Sequence, residues 1–506
     1  MTILVPSVEL GSKGLLVRGG QLLTPVAPFE RADVRVRDGV VVEVGNSLRR
    51  DGEEEVDASG CVVMPGLVNG HTHSGQSIQR GAAPNLPLEV WIGCVLYGDS
   101  PLSAEDVYVA AADLALDLLH SGCTALLDHV FLDLGDLDAQ ASALVDAYVD
   151  TGIRAAVAPV VQDLDYLTTV ATGMDVGVPQ PEPLMPQRDH QALLRALDAF
   201  LRAWTGRHER IAPLLGPAAP QRCSDELLSG IADLVHEHDC GIHTHLLESK
   251  SQVIATRTRF GRSVVEHLDE LGLLGARSSF AHGNWLDESE YRTLERTGST
   301  LVHNPITALR CGSGILPLQE LLRLDLPIAL GADGAAANDG QNMFETMKFA
   351  SLLHTLYGDF RDWPQPAEIW EMALRGGAAA LSRPLGTIDV GAAADIVLVR
   401  AEDTDKDRLV RRLVLSEHGE SVDTVIVGGA VVIRAGTSTR VDERQIRARA
   451  GEASARWHAR HEERHDLWRS VEPFLAAVVD EARDVDLGFT RRAEITVSPV
   501  AASRET

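Results

Sequence analysis

Two hydrophobic patterns divide the chain. Near the start, apolar positions alternate. Leu15-Leu-Val-Arg18 runs into a Gly19-Gly20 turn, and Ala32-Asp-Val-Arg-Val-Arg37 turns at Asp38-Gly39 into 40–44. Period two broken by glycine predicts short strands and hairpins. The pattern returns in 394–400 and in 422–427, Gly428-Gly429 and 430–433. Two β-rich ends around a different middle predict one small β-sandwich built from both, over 1–60 and 384–440.

The middle, 61–383, alternates strand-length apolar runs with helical periodicity. The predicted strands are 62–66, 124–131, 153–162, 211–216, 241–246, 278–282, 300–304 and 327–333. Amphipathic helices are predicted at 104–119, 191–204, 225–238 and 287–297. Eight strands, each followed by a helix, predict an α/β fold with a closed (β/α)8 barrel. An open doubly wound sheet is the alternative, but no Gly-x-Gly-x-x-Gly follows a strand. The irregular segment 163–189, rich in Pro, Gly and Thr, reads as an active-site lid or subunit contact. Beyond Arg440 an Arg/Glu/Ala-rich stretch with Trp457 and Trp468 predicts a helical tail, 441–506. It is expected to pack on its own barrel or on a neighbouring subunit, with a homodimer favoured, and to fray from about Arg491.

Composition narrows the partners. The 506 residues are 45% hydrophobic, as in a soluble globular protein. No run reaches the ~18 apolar residues of a membrane span. The first ten residues lack a basic stretch and carry Glu9, which argues against a signal peptide. Six cysteines without a Cys-x-x-Cys pair fit a reducing cytoplasm. A net charge of −27 disfavours nucleic acid and anionic lipid as partners.

Candidate chemistry sits at the strand ends. They carry His71 and His73, Asp128 and His129, Asp163, His243 and His245, His282, Asn304 and Asp333. In a barrel of this kind that rim is where catalytic groups gather. Side chains at i and i+2 of a strand share a face, so His71-Thr72-His73 offers half of a metal site. His245 and Glu248 can face one cavity, pairing an imidazole ligand with a carboxylate free to move protons. His243 reads as support for such a site or as a satisfied polar residue. His282 is open between binding a metal, polarising the attacked atom and holding a water. Asp333, closing an apolar strand, suits a ligand and base, whereas Asp339 is expected to cap the next helix.

These residues stand in longer motifs: PGLVNGHTHS (65–74), RGAAPNLPLEVW (80–91), SGCTALLDHVF (121–131) and HTHLLES (243–249). AHGNWLDESE (281–290), HNPITALRCGSGILPL (303–318), LGADGAAANDGQNM (330–343) and LGTIDVGAAADIVLV (385–399) complete them. Over roughly residues 10–440 the chain resembles the amidohydrolase superfamily. It is most similar to the aminohydrolase branch of triazine hydrolases, guanine-type deaminases and adenosine-derivative deaminases. The resemblance implies a (β/α)8 barrel with a sandwich from both ends. It implies His71, His73, His245 and Asp333 as metal ligands, Glu248 as proton shuttle, and His282 orienting the water or polarising substrate.

Many members of the superfamily hold two metals bridged by a carboxylated lysine on the fourth strand. The lysines here are only Lys13, Lys250, Lys348 and Lys406, and none lies between His73 and Lys250. One divalent ion is therefore expected. The ligand types suit Zn²⁺ and Fe²⁺ alike, and redox-neutral chemistry favours zinc. Thr307-Ala308 stands where relatives commonly have Ser-Asn. Gln76, Trp91, His129 and the 163–189 segment are expected to shape the substrate pocket.

The expected reaction is deamination of an amino-substituted N-heterocycle (nucleobase, pterin or triazine-like) with release of ammonia. The alternatives are another C–N or a C–Cl bond at the same site, and a catalytically inactive binding scaffold. A sugar-phosphate enzyme would need a Gly-rich phosphate loop, for which Gly312-Ser313-Gly314 is a weak candidate.

Overall fold

The computed structural model describes residues 14–24, 30–96, 102–183, 188–401, 403 and 405–492. The expectations for the first ten residues and for the end beyond 492 lie outside them. The chain opens with strands β1 (Leu15–Leu22), β2 (Arg31–Arg37), β3 (Val40–Gly45), β4 (Glu54–Asp57) and β5 (Cys61–Pro65). There follow β6 (Leu67–Thr72), β7 (Cys123–Val130), β8 (Arg154–Val161), β9 (Ile211–Pro213) and β10 (Gly216–Pro217). Next come β11 (Ile242–Leu246), β12 (Ser278–His282), β13 (Thr300–His303) and β14 (Ile328–Leu330). The last are β15 (Ile396–Arg400), β16 (Val422–Val427), β17 (Ala430–Arg434) and β18 (Thr437–Ser438).

Strands β6 to β14 form the barrel. Pairing is parallel from β6 through β7 and β8 to β9 and β10, and again from β11 through β12 and β13 to β14. Two joints complete the ring. Leu215, between β9 and β10, bridges Ile242 in parallel. At the other joint, Asp333 N donates to His71 O at 2.9 Å. With β9 and β10 counted as one interrupted strand, eight strands close. Small and branched residues (Val68, Ala125, Leu127, Ala156, Ala158, Val302, Ala329) fill the interior, as a tapering barrel requires.

The two chain ends share one nine-stranded sheet, ordered β18-β17-β16-β15-β5-β1-β2-β3, with β4 on β1. It coils until Val40 bridges Ala393. The strand expected at 62–66 as the first of the barrel belongs to this sheet instead. Cys61–Pro65 pairs antiparallel with Ile396–Arg400 and parallel with β1, and β6 opens the barrel. The physical reason is burial on both faces. Val63, Ile396 and Leu398 enter the sandwich core, whereas Val62, Met64, Val397 and Val399 enter the barrel's core. Such a strand is continuously apolar and reads like a parallel barrel strand.

A second correction concerns Gly19-Gly20. It is no turn, because β1 continues to Leu22 through a register shift between Val17 and Gly20. Gly20 allows it, since a Cβ there would meet Val63 Cγ2 at 2.3 Å.

The tail consists of helices Glu443–Glu463 and His465–Asp484. Trp457 is 1% and Trp468 7% exposed, both covered by their own chain. They share a core with Phe474, Leu475, Trp91, Ile92 and Val95. Arg447 pairs with Asp113 and Asp117, and Arg456 with Asp106, pinning the tail to helix Ala104–His120. The tail therefore backs helix Leu88–Val95, which forms one wall of the cleft described next.

Candidate active site

The C-terminal ends of the barrel strands open into a cleft lined by His73, Gln76, Trp91, Arg222, His245, Glu248, His282, Thr307 and Asp333, among others. At its floor the Nε2 atoms of His71, His73 and His245 and the Asp333 carboxylate converge. His73 Nε2 lies 3.2 Å from His245 Nε2. Asp333 Oδ1 lies 3.4 Å from His71 Nε2 and 3.5 Å from His73 Nε2. Four tetrahedral ligands ~2.0–2.1 Å from a zinc ion lie about 3.3 Å from one another.

The other ring nitrogens are already committed, and this turns each Nε2 inward. His73 Nδ1 meets His129 O, and His245 Nδ1 meets Ala218 O at 2.6 Å. His71 Nδ1 contacts His243 Nε2 at 2.7 Å, and His243 Nδ1 contacts Ser279 Oγ at 2.7 Å. This chain fixes the His71 tautomer, so His243 supports the site from behind. His71 Nε2 is buried without any hydrogen-bond partner. Burial lowers the pKa of His71 and puts those of His243 and His245 well below the usual imidazole value, leaving neutral donors. An orphaned nitrogen among neutral imidazoles and one carboxylate fits a single divalent cation.

Backbone strain marks the same place. Leu247, His282 and Asp333 hold φ of 41°, 73° and 61°, a region that costs non-glycine residues ~1–3 kcal/mol each. His282 closes β12 in this conformation, and Asp333, three residues past the end of β14, lines the cleft with it. Burial would raise the Asp333 carboxyl, but its interactions with the imidazoles of His71, His282 and His73 outweigh that and hold the group well below the carboxylate range.

Glu248 stands beside this donor set. Its Oε2 is 3.5 Å from His282 Nε2, and its buried Oε1 has no partner. It does not cap the following helix, whose N-cap is Ser249. Burial first, then the Asp333 and Glu89 charges, push its pKa well above the usual carboxylate value. Burial also lowers His282 to about 3. Asn304 Nδ2 donates to His282 Nδ1 at 3.3 Å, which leaves Nε2–H facing Glu248 and, at 3.9 Å, Asp333 Oδ2.

The residues expected around the substrate divide. Gln76 and Trp91 line the cleft, tied to Ala336 through its N–H and C=O at 3.3 Å each. Gly334 makes room for Gln76, since a Cβ there would sit 1.8 Å from Gln76 Oε1. His129 is fully buried behind the imidazoles, with Nε2 3.3 Å from Gly216 O, and does not line the cleft. Thr307 lines it with an unpartnered buried hydroxyl. Of the other rim residues, Asp128 accepts from Ser74 N and Tyr148 Oη, and Asp163 accepts from Ser224 N.

Asp339 is a correction. It ends the short helix Ala335–Asn338 in the left-handed region and binds Gly81 N and Arg310, while Asn342 caps the next helix. The 163–189 segment acts as wall rather than lid over its first part, where helix Tyr166–Val170 packs behind the cleft; 184–187 lie outside the described residues. Arg222 escaped the sequence reading. Its signal was its position in the loop after the fourth barrel strand.

A closed barrel with imidazole and carboxylate donors converging at the C-terminal rim defines a metal-dependent hydrolase architecture. The chain belongs to the amidohydrolase family, whose model matches residues 62–432. It is 30% identical over 458 residues to a 5'-deoxyadenosine deaminase of Methanosarcina mazei, covering 88% of this chain and 99% of that protein. It is 33% identical over 408 residues to a 5-methylthioadenosine/S-adenosylhomocysteine deaminase of Thermococcus kodakarensis, covering 80% and 90%. Among solved structures, a zinc-bound adenosine deaminase from Xanthomonas campestris matches with TM-score 0.77 and 25% identity over 88% of this chain and 98% of that one.

Proposed function

We propose that the chain is a mononuclear metal-dependent aminohydrolase that deaminates an amino-substituted N-heterocycle and releases ammonia. The carrying observation is Glu248, a buried carboxyl with one unpartnered oxygen, beside the converging donors His71, His73, His245 and Asp333. His71, His73, His245 and Asp333 would hold the ion, which supplies Lewis acidity and a water whose pKa falls from about 15.7 to ~7. Asp333 would accept a proton from the attacking water, and His282, neutral and braced by Asn304, would orient it. Glu248 gives its proton to the ring nitrogen beside the attacked carbon, so that carbon becomes electrophilic. Glu248, then a carboxylate, would take the proton of the added hydroxyl and pass it to the amino group, so that the C=O forms, the C–N bond breaks and ammonia leaves. His129 acts by positioning His73 through its carbonyl rather than by touching substrate.

Zinc is the preferred ion, supported by the zinc-bound relative and by chemistry that needs no redox change. A cytoplasmic setting is supported by six free cysteines. No helix among the described residues is long and apolar enough to cross a membrane. The homo-oligomer expected from the tail loses its ground, because both tryptophans are covered within the chain; exposed Leu352, Leu356 and Phe360 offer another surface for one. An ammonia-release screen of zinc-loaded protein over aminated purines, pyrimidines, pterins and triazines tests the reading. Release of chloride or an alkylamine in place of ammonia would overturn it.

A further inference from the structure

Of the charged groups lining the cleft, Glu248 and Asp333 have roles in the proposed chemistry and Arg222 has none. Arg222 is held firmly. It ends the turn Pro220–Arg222, and its carbonyl accepts from Leu164 N at 3.2 Å. Its guanidinium lies 4.6 Å over the Tyr166 ring.

Yet its donors are idle. Nε is buried with no partner, and among the described residues no ion pair engages the guanidinium. The nearby Glu248 and Glu89 act on it through their charge, but neither makes an ion pair or hydrogen bond with it. Glu89 already accepts from Ser249 Oγ at 2.6 Å and from Ser251 Oγ. Glu248 faces the same cleft with Oε1 unpartnered, yet the two side chains form no ion pair. A guanidinium carries five N–H donors in a rigid fork, and desolvating them without acceptors is costly. A stacked guanidinium that lines the cleft, and the smaller cavity beside it with Glu89 and Tyr166, is suited to a planar oxygen acceptor brought by a ligand.

We propose that Arg222 selects the substrate by binding an oxygen acceptor, a ring oxo group or a carboxylate, carried by the amino-substituted heterocycle. The heterocycle itself rests on the deaminase reading. The binding geometry then sets which ring carbon faces Glu248, so the same contact selects and orients.

Calorimetric binding to zinc-loaded Glu248→Gln protein, with and without Arg222→Met, tests this without requiring turnover. The probes are two pairs: 2-aminopurine against guanine isolates an oxo group, and pterin against 6-carboxypterin isolates a carboxylate. In at least one pair the oxygen-bearing member should bind tenfold or more tighter, and Arg222→Met should erase that increment while sparing the other member. Arg222→Lys should restore part of it. Unchanged zinc content and melting temperature separate this role from a structural one. No increment in either pair, or an equal loss for both members, overturns the proposal. Ammonia release by the wild type on the same compounds reports separately on the deaminase reading.

Discussion

Replacing Glu248 by Gln removes a proton carrier and little else. The side chain is 6% exposed, and its Oε1 has no hydrogen-bond partner to lose. Its raised pKa means that the charged form is disfavoured where it sits, so a neutral amide of the same size fits at least as well. Folding and metal content should therefore hold, with a melting temperature equal to or above the wild type's. Turnover should not. General acid–base catalysis contributes ~10²–10⁴-fold, which is about 2.7–5.4 kcal/mol of barrier at 1.36 kcal/mol per tenfold. The expected signature is kcat reduced by that range with KM little changed, because the proton is needed only as the reaction proceeds. Coupled ammonia assays on zinc-saturated protein measure it, with metal content determined on the same sample. A kcat within tenfold of wild type at full zinc loading would refute the shuttle role.

Two further substitutions test the supports of the site. His243→Leu cuts the Ser279–His243–His71 chain, and zinc affinity measured by chelator competition should fall about 10–100-fold; unchanged affinity would make His243 a mere filler. Trp457→Ala should cost about 3–5 kcal/mol in denaturant unfolding, because the indole is 1% exposed in the core shared with the cleft-lining helix. A cost below about 1 kcal/mol would detach the tail from that core.

Much of this was legible in the residues because the signals are local. Nearly every barrel strand shows an apolar run closed by a polar residue, and His71, His73, His245, His282 and Asp333 all reach one cleft or its floor. What failed was information set by partners distant in sequence. Nothing within 61–65 tells that both faces are buried by different cores, so β5 looked like barrel. His129 sits at a strand end like its neighbours, and only the packing of its ring against His73 and Gly216 O, from elsewhere in the chain, takes it behind the cleft. Asp339 carries the right residue type for an N-cap, yet Arg310 and Gly81, far away in the chain, claim its carboxylate. Arg222 was invisible for the converse reason, since an arginine in a loop is ordinarily solvated and its half-buried stacking depends on Tyr166.

The central claim is one ion, held by three imidazoles and Asp333, serving a hydrolytic deamination. Zinc titrated into chelator-treated protein, with ammonia release followed on the best substrate of the screen, tests it most directly. The account predicts no turnover without metal and a rise that saturates at about one equivalent per chain, as a donor set of this size provides for one tetrahedral ion. Full activity in the metal-free protein, or a rise that continues to two equivalents, would contradict it.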